Sequence, residues 1–260
     1  MTTNLDQLRS RVVAVAPLLP LFYAQGLWVF TRIPKLAAAE GTTVGCTAGY
    51  GKPLRLLTLG ESTIDGVGAA HHGEALTGQL AQALTARLDR PVAWRAVGKM
   101  GATARVAIDE LLPRVPQEPV DLVFLGIGAN DALRMTRLST WRNDLETLIQ
   151  KLRKRIGNAQ IFLSAVPPLE NVAVFPQPLR GALGLRAEMV NAATKQIVAA
   201  LPWVDLLPMP YRGDLEFLAV DRFHPSPAGY REWADFLAGE IAPVLDRSPN
   251  MTNQRDVVLF

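Results

Sequence analysis

The chain has 260 residues, 49% hydrophobic and 20% charged, with a formal net charge of +3. That suits one large globular domain with a sizeable core, or one such domain with an appendage. A single cysteine, Cys46, rules out an intrachain disulfide, and with only three histidines a zinc cluster is not expected. No dense Lys/Arg stripe with interleaved aromatics appears, so nucleic-acid binding is not expected. The "KLRKR" run, Lys151 to Arg155, reads as the solvated end of a helix.

Residues 12–30, "VVAVAPLLPLFYAQGLWVF", carry no charge, and Arg9, Arg11, Arg32 and Lys35 flank them. The length approaches that of a bilayer span, but Pro17, Pro20, Gln25 and Gly26 interrupt it. A cleaved signal fits less well, because Arg32 and Lys35 separate the apolar run from the small residues of "AAAE". Two other readings fit better, a segment that associates with a membrane or an apolar arm packed on the domain, and the cleaved signal stays open as the least favoured of the three. Basic residues at both ends leave its orientation unread. Localisation stays open between the cytoplasm and a membrane. The Gly/Thr-rich stretch "EGTTVGCTAGYGKP", Glu40 to Pro53, is aperiodic and reads as a linker or loop. The expected organisation is therefore an apolar segment and linker over 1–53, a domain over 54–247 and a tail over 248–260.

Within 54–247 strands and helices alternate. "LRLLTLG" is a short apolar strand ending at Gly60, and Glu74 to Leu88 has helical spacing of leucines and alanines. Val92 to Val97 reads as a strand, Thr103 to Leu112 as a helix, Val120 to Gly128 as a buried strand and Ser139 to Arg155 as a long amphipathic helix. Ala159 to Val166 is another strand, followed by a Pro-rich loop from Pro167 to Gly184 and a helix from about Leu185 to Ala200. "PWVDLLP" is a short last strand. Ser226 as cap and Pro227 in the first turn open a final helix that runs to Leu245. Such alternation implies parallel strands with helices on both faces.

In such a sheet functional residues collect at the carboxyl ends of the strands. Ser62 follows the first of these strands, Gly98 and Gly101 the second, and Gly128, Asn130 and Asp131 the third; Asp221 and His224 sit in "DRFHPSP" before the last helix. A serine hydroxyl is a weak nucleophile and needs a base, and a carboxylate can hold a histidine base in the required tautomer. Asp221 lies three residues before His224, close enough to reach Nδ1 while Nε2 faces Ser62. An oxyanion would find donors in the N–H groups of Ser62 and Gly101 and in the side-chain amide of Asn130. Each residue alone has a plainer reading: a helix cap for Ser62, a turn for Asn130-Asp131, a structural ring for His224 and a solvated loop charge for Asp221. Their joint order in four sheet loops is what those readings fail to explain. His71 and His72 lack a well-placed acid and read as exposed residues at the rim of a pocket. The G-x-S-x-G elbow fails at Ile64, no P-loop occurs, and "GVGAAH" and "GIGAND" lack the third glycine of a dinucleotide fingerprint.

These blocks resemble those of the SGNH (GDSL-type) hydrolase family: "GES" with Ser62, "GKMGAT" with Gly101, "GAND" with Asn130 and "DRFH" with Asp221 and His224. The resemblance spans about Leu54 to Leu245. Glu61 stands where the family usually has aspartate, and Gly98 lies where many members have asparagine. The resemblance implies a three-layer α/β/α sandwich with a mostly parallel five-stranded sheet in flavodoxin-like order. It also implies a serine hydrolase of carboxylic esters without metal or organic cofactor. Ser62 would be the nucleophile, His224 the base and Asp221 its orienting acid; Ser62, Gly101 and Asn130 would form the oxyanion hole. In the Pro-rich loop, Leu169, Val172, Val174, Phe175 and Leu179 offer an apolar surface for an acyl group, which favours short-chain or lipid esters. Thioesterase or lysophospholipase activity, and acyl transfer, are alternatives on the same fold. A non-catalytic membrane-tethered binding protein is a further alternative, and the full catalytic set argues against it.

Overall fold

The structure, a computed structural model, describes residues 16–246. Residues 12–15 of the charge-free run and the expected 248–260 tail lie outside the described residues. The described part opens with a short helical turn, Ala16–Leu18, that leads into α1, Leu19–Arg32. The sheet strands are β1, Val44–Cys46; β2, Leu54–Gly60; β3, Val92–Gly98; β4, Leu122–Gly126; β5, Gln160–Ser164; and β6, Val204–Leu207. Between and after them run α2, Leu76–Leu88; α3, Ala104–Val106; α4, Ala129–Leu133; α5, Leu138–Ile156; α6, Leu179–Val198; and α7, Pro227–Asp246. From α3 the chain continues through a wider helical turn, Ala107–Leu111, into Leu112–Arg114.

The strand order is β1-β3-β2-β4-β5-β6. The five strands β3-β2-β4-β5-β6 are parallel, as expected. A sixth corrects the expected count: β1 pairs antiparallel with β3, Val44 opposite Arg95 and Cys46 opposite Ala93. It arises in the stretch read as a linker, where a three-residue strand has too little periodicity to stand out. A second difference is in the Pro-rich loop. The expected loop ran to Gly184, but α6 already starts at Leu179.

Alternation along the strands decides the layers. Leu57, Leu59, Val123 and Leu125 face the side covered by α1, α3, α5 and α6, in a cluster that includes Trp141, Leu145, Leu183 and Val190. Leu54, Leu56, Leu122 and Phe124 face the side covered by α2 and α7, among Leu80, Leu84, Trp233 and Leu237. The product is the three-layer α/β/α sandwich. Thr58, buried on the α2 side, is satisfied by the Thr77 hydroxyl at 2.7 Å. Ser226 caps α7, its Oγ accepting from the Gly229 N–H at 3.1 Å.

Three adjacent strands, β3, β2 and β4, each carry a glycine at the carboxyl end. Gly60 pairs with Gly98 on one side and Gly126 on the other. A Cβ on Gly60 would lie 2.1 Å from the Gly126 oxygen, and one on Gly98 2.3 Å from the Asp65 nitrogen. The row of glycines thus lets the turn after β2 lie down directly on its neighbours.

Candidate active site

That turn presents Ser62. Glu61 N–H donates to the Gly126 carbonyl at 2.9 Å, the N–H groups of Ile64 and Asp65 donate to the Glu61 carbonyl, and Val67 N–H donates to the Ser62 carbonyl. The chain here forms a tight turn, not the helix that Ser62 would open as a cap. Across the sheet, Asp221 and His224 occupy the turn before α7. Asp221 Oδ1 accepts from the backbone N–H groups of Phe223 and His224, each at 3.0 Å, which fixes the carboxylate beside the ring. Ala219 N–H donates to the His224 carbonyl at 2.8 Å and closes the turn.

The three side chains meet. His224 Nδ1 lies 2.6 Å from Asp221 Oδ2, and His224 Nε2 lies 2.9 Å from Ser62 Oγ. An ionised carboxylate only accepts, so Nδ1 carries the proton and Nε2 is left to accept from the serine hydroxyl. Burial alone would raise the Asp221 carboxyl. Hydrogen bonds from the His224 ring and from Phe223 N–H outweigh it and hold the group below the usual carboxylate range. Asp221 therefore stays charged where the ring needs it.

Gly101 and Asn130 line the same cavity as Ser62 and His224. Gly101 has φ +73°, a backbone that favours glycine. Its loop is tied down by Met100 N–H, which donates to Asp65 Oδ2 at 2.9 Å, and by Arg134 Nη2, which donates to the Gly101 carbonyl at 3.1 Å. Asn130 sits on α4, and Glu61 holds it. Glu61 Oε2 accepts from the Asn130 backbone N–H at 3.0 Å and from its Nδ2, while Oε1 accepts from Ala129 N–H at 3.2 Å. An amide nitrogen has two hydrogens, so the bond to Glu61 leaves one for another acceptor. Burial pushes the Glu61 carboxyl up to about 7, and the donors of Asn130 and Ala129 keep it from rising further. Asp131 joins the two loops: its Oδ2 accepts from Ala104 N–H at 2.9 Å, at the start of α3. Burial raises its carboxyl, against the pull of that N–H.

The cavity wall is mainly apolar, with Ile127, Leu133, Val166, Val172, Met209 and Phe223. Tyr211 and Trp233 also line it, and the Tyr211 hydroxyl and Trp233 indole N–H have no hydrogen-bond partner among the described residues. Of the five loop residues expected to meet an acyl group, Val172 alone reaches this wall. Leu169, Phe175 and Leu179 turn into the core against α1 and α6, and Val174 packs against that core. Phe175 still supports the site from behind, edge-on to Phe223 at 5.8 Å. Of the wall residues, the sequence reading does not single out Ile127, Leu133, Met209, Tyr211 and Phe223; Ile127, Leu133 and Phe223 lie in or beside the asparagine and histidine blocks, which was a usable signal, whereas Met209 and Tyr211 lie ten or more residues before Asp221 and carry none. His71 and His72 border a different depression, near Glu40 and Trp94. His72 is buried, contrary to the exposed reading, and burial lowers its ring pKa against the pull of Asp65.

Comparison with solved structures gives the same fold. The lipase Lip_vut3 from a goat rumen metagenome has a TM-score of 0.60 at 18% identity, over 74% of this chain and 99% of that one. The family 3 carbohydrate esterase of Clostridium thermocellum has a TM-score of 0.57 at 19% identity, over 75% and 98%. The psychrotrophic esterase EstA from Pseudoalteromonas sp. has a TM-score of 0.56 at 20% identity, over 74% and 99%. No curated protein matches the sequence. The model of the GDSL-like lipase/acylhydrolase family, however, matches residues 58–232, from within β2 into α7, and the chain belongs to that family.

Proposed function

We propose that the protein hydrolyses carboxylic esters, with Ser62 as nucleophile, His224 as general base and Asp221 as its orienting acid. The observation that carries this is the unbroken chain from Asp221 Oδ2 to His224 Nδ1 at 2.6 Å and from His224 Nε2 to Ser62 Oγ at 2.9 Å. Ser62 Oγ attacks the ester carbonyl as its proton passes to His224 Nε2. The N–H groups of Ser62 and Gly101 and the second amide hydrogen of Asn130 receive the oxyanion. Collapse breaks the C–O bond, and His224 returns the proton to the departing alcohol. Water then attacks the acyl-enzyme as His224 takes its proton, the bond from the acyl carbon to Ser62 Oγ breaks, and His224 returns the proton to Ser62 Oγ as the carboxylic acid leaves.

The wall of Ile127, Leu133, Val166 and Val172 favours an apolar acyl group of short or medium length. A panel of p-nitrophenyl esters of graded acyl length tests this reading. Turnover should peak within the short-to-medium range, and Ser62→Ala should abolish it. A panel with no turnover, or one on which Ser62→Ala acts like the parent, would overturn it. Adding an alcohol or sugar acceptor separates hydrolysis from transfer: a transferase forms new ester at the expense of free acid.

A further inference from the structure

Helix α1 satisfies only half of what its composition asks for. Phe22 and Val29 are buried, and Gln25 between them ties the helix to the rest of the protein. Its Nε2 donates to the Gln177 carbonyl at 2.7 Å, and its Oε1 accepts from Leu179 N–H at 3.0 Å. The other side is Leu19, Tyr23, Leu27 and Phe30, spaced four, four and three residues apart and 54–77% exposed, with Trp28 beside them at 49%. A surface helix facing water puts polar residues on that side.

The surrounding charge says what covers it. Between Asp6 and Glu40 the sequence has no acid, and its cations are Arg9, Arg11, Arg32 and Lys35. In the structure the Arg32 guanidinium stands 5.5 Å from the Trp28 ring centre, and the Lys35 ammonium 5.3 Å from that of Phe30. Aromatic rings topped by cations beside an aliphatic face are the chemistry of the boundary between acyl chains and headgroups. Over its described residues the helix is too short to span. Its 14 residues are about 21 Å long, against roughly 30 Å of hydrocarbon. Among the described residues no helix is long and apolar enough to cross a membrane. A second copy on this face would crowd like charges together, with no acid of the segment to answer them.

We propose that the outer face of α1 is a docking surface for a lipid bilayer bearing anionic headgroups, on which the helix lies flat. The inner face of the same helix joins the buried cluster that backs the candidate site. Phe22 and Val29 sit in the same buried cluster as Val172 and Phe175; Val172 lines the cavity and Phe175 backs Phe223. Resting on the ester-hydrolase reading, this arrangement serves esters that reside in the membrane.

The test is sedimentation of the full chain with vesicles of phosphatidylcholine alone or mixed with phosphatidylglycerol, read for the parent and for Ser62→Ala. Because binding is also read without the nucleophile, its outcome stands apart from whether Ser62 reacts. Both proteins should sediment with the mixed vesicles, less with phosphatidylcholine alone and less as salt rises. Leu19→Ser, Leu27→Ser and Phe30→Ser together should lower partitioning by roughly a hundredfold or more. Those serines should leave turnover of a water-soluble ester unchanged. Arg32→Gln with Lys35→Gln should weaken the preference for the anionic lipid. Parent protein that stays in the supernatant with every vesicle would overturn the proposal. So would a triple variant that partitions like the parent, or a parent dimer that the triple variant dissolves while neither form binds vesicles.

Discussion

Glu61→Gln should stabilise the protein above neutral pH while sparing most of its activity. Glu61 is buried with three N–H donors on its carboxylate, and burial still pushes it from 4.5 to about 7. A carboxyl raised on folding contributes stability that is full below its unfolded value and is lost as pH climbs to the folded one. The 4.5-to-7 difference corresponds to about 3 kcal/mol, lost between those two values. A glutamine has the shape of the protonated acid and carries no charge to bury. Its carbonyl oxygen at the Oε2 position keeps both Asn130 donors and loses only the 3.2 Å bond from Ala129. Urea unfolding at about pH 5 and about pH 8.5 should show Glu61→Gln gaining on the parent by about 2–3 kcal/mol at the higher pH. Its kcat should fall less than about tenfold, whereas Glu61→Ala, which frees Asn130, should lose roughly a hundredfold. A stability gap that is the same at both pH values would refute the buried-charge argument. Wild-type kcat in Glu61→Ala would refute the positioning of Asn130.

Asn130→Ala should lower kcat by roughly 10²–10³ and leave KM nearly unchanged, because its second amide hydrogen is needed chiefly in the transition state; steady-state kinetics on one ester checks it. Asp221→Asn should cut kcat by about 10⁴ with the fold intact, since the imidazole loses the partner that holds its tautomer. The Asp221 carboxyl is held low in the folded state, so its stabilisation is present above the usual carboxylate range and fades as pH falls through the folded value. Acid titration by circular dichroism should therefore show Asp221→Asn losing less stability than the parent on acidification. Gly98→Ala places a Cβ 2.3 Å from the Asp65 nitrogen. It should destabilise by about 2–4 kcal/mol in denaturant unfolding and depress activity, because the Ser62 turn must lift.

What could be read in the sequence was whatever is local. Ser62, Gly101, Asn130, Asp221 and His224 each follow a strand or precede a helix within a few residues, and such short-range punctuation survives without a structure. The five parallel strands were readable because each is a compact apolar run. Strand β1 was not, since three residues in a Gly/Thr-rich stretch acquire strand character only from their partner β3. Pairings over long separations were hidden too. Nothing near Glu61 in sequence points to Ala129 and Asn130, and nothing near Asp131 points to Ala104. The apolar loop was identified as a unit, but its composition could not say which side chains face the cavity. Val172 does, while Leu169, Phe175 and Leu179 are drawn inward by α1 and α6. For α1 the composition could not say which side chains pack: Phe22 and Val29 do, while Leu19, Tyr23, Leu27 and Phe30 stay exposed.

The central claim is that Ser62 is the reacting atom's owner, and covalent labelling tests it most directly. A fluorophosphonate probe should add once to the parent, and peptide mass mapping should place the adduct on the peptide carrying Ser62. The reaction should be blocked in Ser62→Ala and strongly slowed in His224→Ala, with each variant's circular dichroism unchanged. Labelling of Ser62→Ala to the same extent as the parent, or an adduct mapped to any other residue, would contradict the account.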